Sequence, residues 1–229
     1  MASHIHPGGT GLVIEGAAPR PKPRLRGVSH QVAALVAAPA AVALWAEAGS
    51  FPARLGAVIY GVSLFALFAI SAFYHRPTWP PRARDLVGRI DQAAIFLLIA
   101  GTYTPFGLLL WPVGGHTLLM VIWGGAIGGV VLSLLWPSAP KPLMAAIYVL
   151  FGWSFIAIGP SLFRAAGPLV LALVVLGGIV YTLGAVIYAL QRPNPFPRVF
   201  GYHEVFHLCV IAAATLHFVA VSLTLPALA

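Results

Sequence analysis

Charge is what this 229-residue chain has least of: Asp, Glu, Lys and Arg together make up 8% of it, against 60% hydrophobic residues. A soluble domain of that make-up would leave most of its apolar surface facing water, so the chain reads as an integral membrane protein. Cysteine is almost absent. Cys209 alone excludes an intrachain disulfide and a thiolate cage, so any metal must rest on nitrogen and oxygen. Lysine is nearly as scarce, and Lys22 and Lys141 both lie outside the apolar stretches, which argues against a retinal Schiff base. Short segments of alternating polar and apolar residues are also missing, which excludes a membrane barrel. The net charge of +8 sits in short loops beside apolar runs rather than on one face, so it marks topology and not nucleic-acid binding.

What is present is a succession of long apolar runs. Residues 1–27 are rich in Pro and Gly, end in Arg20, Lys22, Arg24 and Arg26, and read as a disordered basic cytoplasmic tail; they show no signal-peptide pattern. Residues 28–229 read as one all-α membrane domain, a bundle of seven transmembrane helices near 28–48, 54–75, 90–110, 116–136, 142–163, 168–190 and 203–225. Loops with Pro and Gly separate them. Arg76, Arg82, Arg84, Arg89, Lys141, Arg192 and Arg198 fall on the side of the basic tail, while Arg54 and Arg164 fall opposite. Cytoplasmic loops collect Lys and Arg, so the amino terminus is expected inside and the carboxyl terminus outside. The excess of arginine over lysine, with abundant Ala, Gly and Pro, points to a GC-rich bacterial genome. Gly124, Gly125, Gly128 and Gly129 form two overlapping small-xxx-small pairs for close packing, and Pro39, Pro105 and Pro160 are expected to kink their helices.

The chemistry gathers at one membrane face. His203-Glu-Val-Phe-His207 opens the last span, and two histidines four apart on a helix can reach a single ion. By itself this spacing fits interhelical hydrogen bonding equally well. Ser71 and His75 end the second span and Asp91 begins the third, so by parity all five residues meet at the same end. Ionisable groups inside apolar spans are costly, and each is a functional candidate by default. His75, His203 and His207 suit three ligands of a zinc ion with an open fourth position. Asp91 is a direct ligand or, as we prefer, the group that holds a water there. Ser71 donates to that water or to a substrate carbonyl, or else bonds back to its own helix. His30 lies at the same face and could approach the site, although an interfacial or capping role is the simpler reading. His116 belongs to the outer loop region, and His217 lies about 20 Å from His203 along the helix, too far to share its ion.

Ser71-Ala-Phe-Tyr-His75, the run Arg89-Ile-Asp91-Gln92 through Thr102-Tyr-Thr-Pro-Phe106, and His203-Glu-Val-Phe-His207 with His217-Phe218 resemble the bacterial hemolysin III family. That family is grouped with the progestin and adipoQ receptors, including the adiponectin receptors, and more distantly with alkaline ceramidases. The resemblance covers the chain from about residue 28 to its end. It implies seven helices in the bacterial inner membrane with a cytoplasmic amino terminus, zinc on His75, His203 and His207, and Asp91 beside a metal-bound water. It also implies a role for Ser71 and demotes Glu204 from general base to a partner of Arg89 or another loop cation. Gln92 departs from the histidine frequent at that position, which leaves the ligands untouched.

Three functions follow as expectations. The first is a zinc-dependent hydrolase acting on the amide or ester of a membrane lipid, a ceramide-like or other acyl substrate, with Asp91 and Ser71 at the reacting centre. The second is a receptor or sensor in which zinc is structural. The third is a cytolysin, which would need oligomerisation to form a pore because no polar stripe runs through several spans. A di-haem cytochrome is disfavoured because only one helix carries a histidine pair of suitable spacing, and an intramembrane metalloprotease because Asp91 and His75 compete with Glu204.

Overall fold

The computed structural model describes residues 22–136 and 138–228. Among them the regular structure is helical: α1 Val28–Glu47, α2 Phe51–His75, α3 Pro81–Leu109, α4 Gly115–Leu135, α5 Lys141–Trp153, α6 Gly159–Leu190 and α7 Tyr202–Thr224. No β-strand occurs among the described residues beyond an isolated bridge between Phe196 and Phe200. Among the described residues six segments are long and apolar enough to cross a membrane, the fifth of them a single 49-residue stretch, Pro142–Leu190.

Local chemistry sets the helix ends. Ser50 caps α2 by accepting from Ala53 N, with Pro52 in the first turn, where a missing N–H breaks no bond. Ser50 also donates to Leu228 O, which ties the carboxyl end to the α1–α2 turn. Helix α3 begins at Pro81, well before the apolar run at residue 90. Arg82, Arg84 and Asp85 are compatible with helix, and hydropathy registers only its lipid-buried part.

The long fifth segment folds back on itself. As a straight helix it would measure about 74 Å, more than twice the ~30 Å hydrocarbon layer. Instead α5 passes through a 3₁₀ turn, Ser154–Ile158, into α6, which is broken again at Gly167, where φ is 84° and ψ 174°. Trp153 Nε1 donates to Thr182 Oγ1 at 2.9 Å, although a straight helix would hold these residues about 43 Å apart. Pro160 stands in the first turn of α6 and so costs no helical bond, while Pro39, Pro105 and Pro168 lie inside helices.

Helix α3 is the hub, packing on α2, α4, α5 and α7, while α6 and α7 form a second extensive pair and α7 closes on α1. Two-thirds (67%) of the apolar window of α3 is buried, against 22% for α1 and for α4, which makes those two peripheral. Leu35, Val36, Phe51, Val121 and Leu135 are exposed on the outside, as befits a surface bathed in lipid. Of the glycines in α4, Gly129 receives the ring of Phe96 and Gly125 that of Phe151, whereas Gly124 and Gly128 face open space. One of the two small-residue pairs therefore packs, and it packs against aromatic rings rather than against another backbone.

The expected tail falls largely outside the described residues, but its last six residues are structured. Arg24 N donates to Arg198 O and Leu25 N to Val199 O, both at 3.1 Å, and Lys22 Nζ donates to Arg76 O and Pro77 O. Residues 22–27 thus form a strap across the ends of α2, α6 and α7. Its backbone groups find partners there, which is why it does not behave as the solvated chain its composition suggests.

Candidate metal centre

Two helix ends converge beneath this strap. His75 is the last residue of α2, and His203 and His207 occupy the first two turns of α7. His203 Nε2 and His75 Nε2 lie 3.0 Å apart, and one nitrogen from each of His75, His203 and His207 falls within 4.8 Å of the others. The three rings form a triangle, with centroid separations of 4.6, 5.1 and 4.5 Å. His75 and His207 are buried and His203 is half-buried.

The donor set fits a zinc ion. Ligand nitrogens at 2.0–2.1 Å in tetrahedral arrangement lie about 3.3 Å from one another, and converging imidazoles are the usual nitrogen donors. His207 Nδ1 is buried without a hydrogen-bond partner. In an apolar interior such an atom costs about 1–3 kcal/mol, so the pocket is one in which a ligating role for that ring is worth having. Asp91 Oδ2 lies 3.9 Å from His75 Nε2, beside the cluster rather than within it. A separation of 3.9 Å from one histidine nitrogen leaves both expected roles open, direct ligand and holder of a metal-bound water.

A fourth imidazole joins the site. His30, expected to cap or to face the interface, is buried at the start of α1, stacks on His207 and places Nδ1 2.8 Å from Ser71 Oγ. The hydroxyl of Ser71 is therefore engaged by His30. The sequence placed His30 at the correct face, but nothing in its spacing revealed which ring it would meet.

Glu204 is apart from the cluster, with both carboxylate oxygens committed. One accepts from Gly201 N at 2.7 Å, the glutamate half of a capping box at the start of α7, and the other pairs with Arg26. The partner is thus a strap residue and not Arg89, whose Nη1 donates to Leu134 O at the end of α4. Composition read Arg26 only as a topology signal; the ion pair it forms was not visible there. His217 is also apart, with Nε2 3.1 Å from Val174 O, and His116 lies near Trp111 in the α3–α4 connection.

The histidines open into a cavity of about 1080 Å³ that reaches down the bundle past Gln92, Leu98 and Phe106 to Val174 and His217. This is at the upper end of ordinary ligand pockets, and its deep walls are apolar.

A polytopic helical membrane protein with a tri-histidine cluster at one end of an internal cavity is the class that fold and site define. Residues 19–218 match the family model described as Haemolysin-III related. The chain belongs to that family. It is 32% identical over 200 residues to the hemolysin-3 homolog of Bacillus subtilis (strain 168), covering 85% of this chain and 90% of that protein. Identity to hemolysin-3 of Bacillus cereus is 32% over 199 residues, 85% and 87% of the two chains. More distantly, the adiponectin receptor protein of Drosophila melanogaster is 31% identical over 157 residues, 60% of this chain and 35% of that one. The resemblance read from the three motifs is therefore correct.

Proposed function

We propose that the protein is a zinc-dependent hydrolase of acyl lipids, with His75, His203 and His207 holding the ion. The observation that carries this reading is the opening of a three-imidazole cluster, with a carboxylate beside it, into a long apolar cavity. A bound zinc ion would supply Lewis acidity toward a carbonyl and lower the pKa of water towards roughly 7. Asp91 is placed to take a proton from the attacking water and return it to the departing amine or alcohol as the acyl bond breaks. His30 holds Ser71, whose hydroxyl lies within reach of the Asp91 carboxylate, so the pair lines the side of the site that Asp91 occupies. The apolar walls bind the acyl chain, at about 0.8 kcal/mol for each methylene removed from water.

In the same reading residues 142–190 cross the membrane twice, giving seven crossings with the amino terminus in the cytoplasm of a bacterial cell and the site at the cytoplasmic face. The fold-back at Trp153 and Thr182 and the basic loops support this arrangement.

The alternative of structural zinc in a receptor-like protein draws support from the cluster itself, which joins helices distant in sequence. One experiment separates the two. Detergent-purified wild type, His75→Ala and His207→Ala are assayed for zinc, then for fatty acid released from ceramide and phospholipid. Zinc in the wild type and its loss in both variants is expected, with turnover that Asp91→Ala removes while keeping zinc. Well-folded wild type without zinc would sink the site; zinc with no turnover on any lipid would establish the structural reading.

A further inference from the structure

The cavity has two chemically different ends. Where it meets the loops, Lys22, Arg26, Arg84 and Arg198 stand on its rim above the histidines, and Lys22, Arg84 and Arg198 are exposed. Its deep end is closed by Leu98, Phe106, Phe155 and Val174, all buried. His203 and His217 both line it, so it runs about 21 Å along α7.

The rim is short of negative charge. Arg26 is matched by Glu204, but among the described residues no carboxylate lies within ion-pair distance of Lys22, Arg84 or Arg198. Lys22 gives its N–H groups to two carbonyls, of Arg76 and Pro77, and these leave its charge unneutralised. Burial first, and then the neighbouring cations Arg76, Arg26 and Arg84, lower the pKa of Lys22, the mark of crowded like charge. Retention of cations in cytoplasmic loops explains their side of the membrane. It does not explain why three unpaired cations from three separate chain segments converge on the mouth of an apolar cavity.

We propose that Lys22, Arg84 and Arg198 bind the phosphate of an anionic lipid headgroup whose acyl tail lies in the cavity. The inference rests on the reading above and names the class of lipid that site takes. Cations approaching from three segments suit a group with several acceptor oxygens, and a charge-assisted hydrogen bond is about twice as strong as a neutral one. The headgroup cations then hold the lipid at the rim, with its chain running past the histidines.

The test is binding by Asp91→Asn protein, chosen to suppress turnover, in phosphatidylcholine nanodiscs. Three probes are compared: a lysophosphatidic acid, a monoacylglycerol of the same chain, and inorganic phosphate alone. The lysophosphatidic acid is expected to bind at least about ten-fold more tightly than either of the others. Adding Lys22→Gln, Arg84→Gln and Arg198→Gln together should erase that advantage while leaving monoacylglycerol affinity unchanged, which also shows that the variant is folded. Should the triple variant fail to fold, Arg84→Gln alone, on an exposed turn, is expected to cost about three-fold. Equal binding of the charged and neutral lipids, or an advantage that survives the substitutions, overturns the proposal. Inorganic phosphate binding as tightly as the lipid overturns it too, by assigning the rim to the free anion. A wild type that hydrolyses nothing would remove the enzyme reading and leave this ratio standing; turnover of neutral lipids with no ratio would remove only the rim.

Discussion

His30 lies flat against His207, with 3.7 Å between ring centroids and 4° between ring planes, while its Nδ1 meets Ser71 Oγ at 2.8 Å. One side chain from α1 thereby braces a candidate ligand from α7 and a hydroxyl from α2. His30→Ala removes a buried ring and its hydrogen bond to Ser71, and should destabilise the protein by about 2–4 kcal/mol. Zinc affinity, measured by chelator competition, should fall about 10–100-fold, the range for loss of a group that supports a ligand. His30→Phe keeps the stacking face, so it should recover most of the stability. Unchanged affinity in both variants would mean that His207 needs no brace.

The Arg26–Glu204 pair gives a second test. Glu204 is 2% exposed, so removing its cation strands a buried carboxylate, at a cost of about 3 kcal/mol. Glu204→Gln keeps an acceptor for Gly201 N and leaves Arg26 able to reach water, so it should cost clearly less. Thermal unfolding of Arg26→Gln and Glu204→Gln decides; the reverse order would show that the stranded carboxylate is not what loss of Arg26 costs.

Gly27 has φ +78°, and a Cβ there would stand 2.7 Å from His75 Cβ. Gly27→Ala therefore combines left-handed strain of about 1–2 kcal/mol with pressure on the end of α2. Zinc content should drop more than overall stability does. A variant that binds zinc like the wild type would show that the strap can shift without moving His75.

Topology is open to labelling, because Cys209 is the only cysteine. In a Cys209→Ala background, Ser138→Cys and Arg192→Cys should react with an impermeant maleimide from the same side, and Arg164→Cys from the opposite side. Reaction of the first two from opposite sides would mean that residues 142–190 cross the membrane once.

Most of the helical architecture was legible because bilayer thickness imposes a length on every apolar run. The start of α3 at Pro81 was not, since a helix continues through Arg82 and Asp85 after hydropathy has ended. Parity put His75, Asp91, His203 and His207 at one face, and the three histidines do converge there. The meeting of His30 with His207, and of Arg26 with Glu204, depends on how α1 and the strap settle against α7. Arg26 and Glu204 stand 178 residues apart in the chain, and no local pattern encodes such contacts.

Long separation in the chain also governs how the protein comes into being. His75 precedes His203 by 128 residues, so at about 5–20 residues per second of synthesis α2 waits roughly 6–26 s for the last helix. Until then its imidazole lacks the other two members of the cluster, and a chain that stops short of α7 never acquires them. Completion of the tri-histidine cluster thus reports that translation has reached the final helix and that the helix has been inserted.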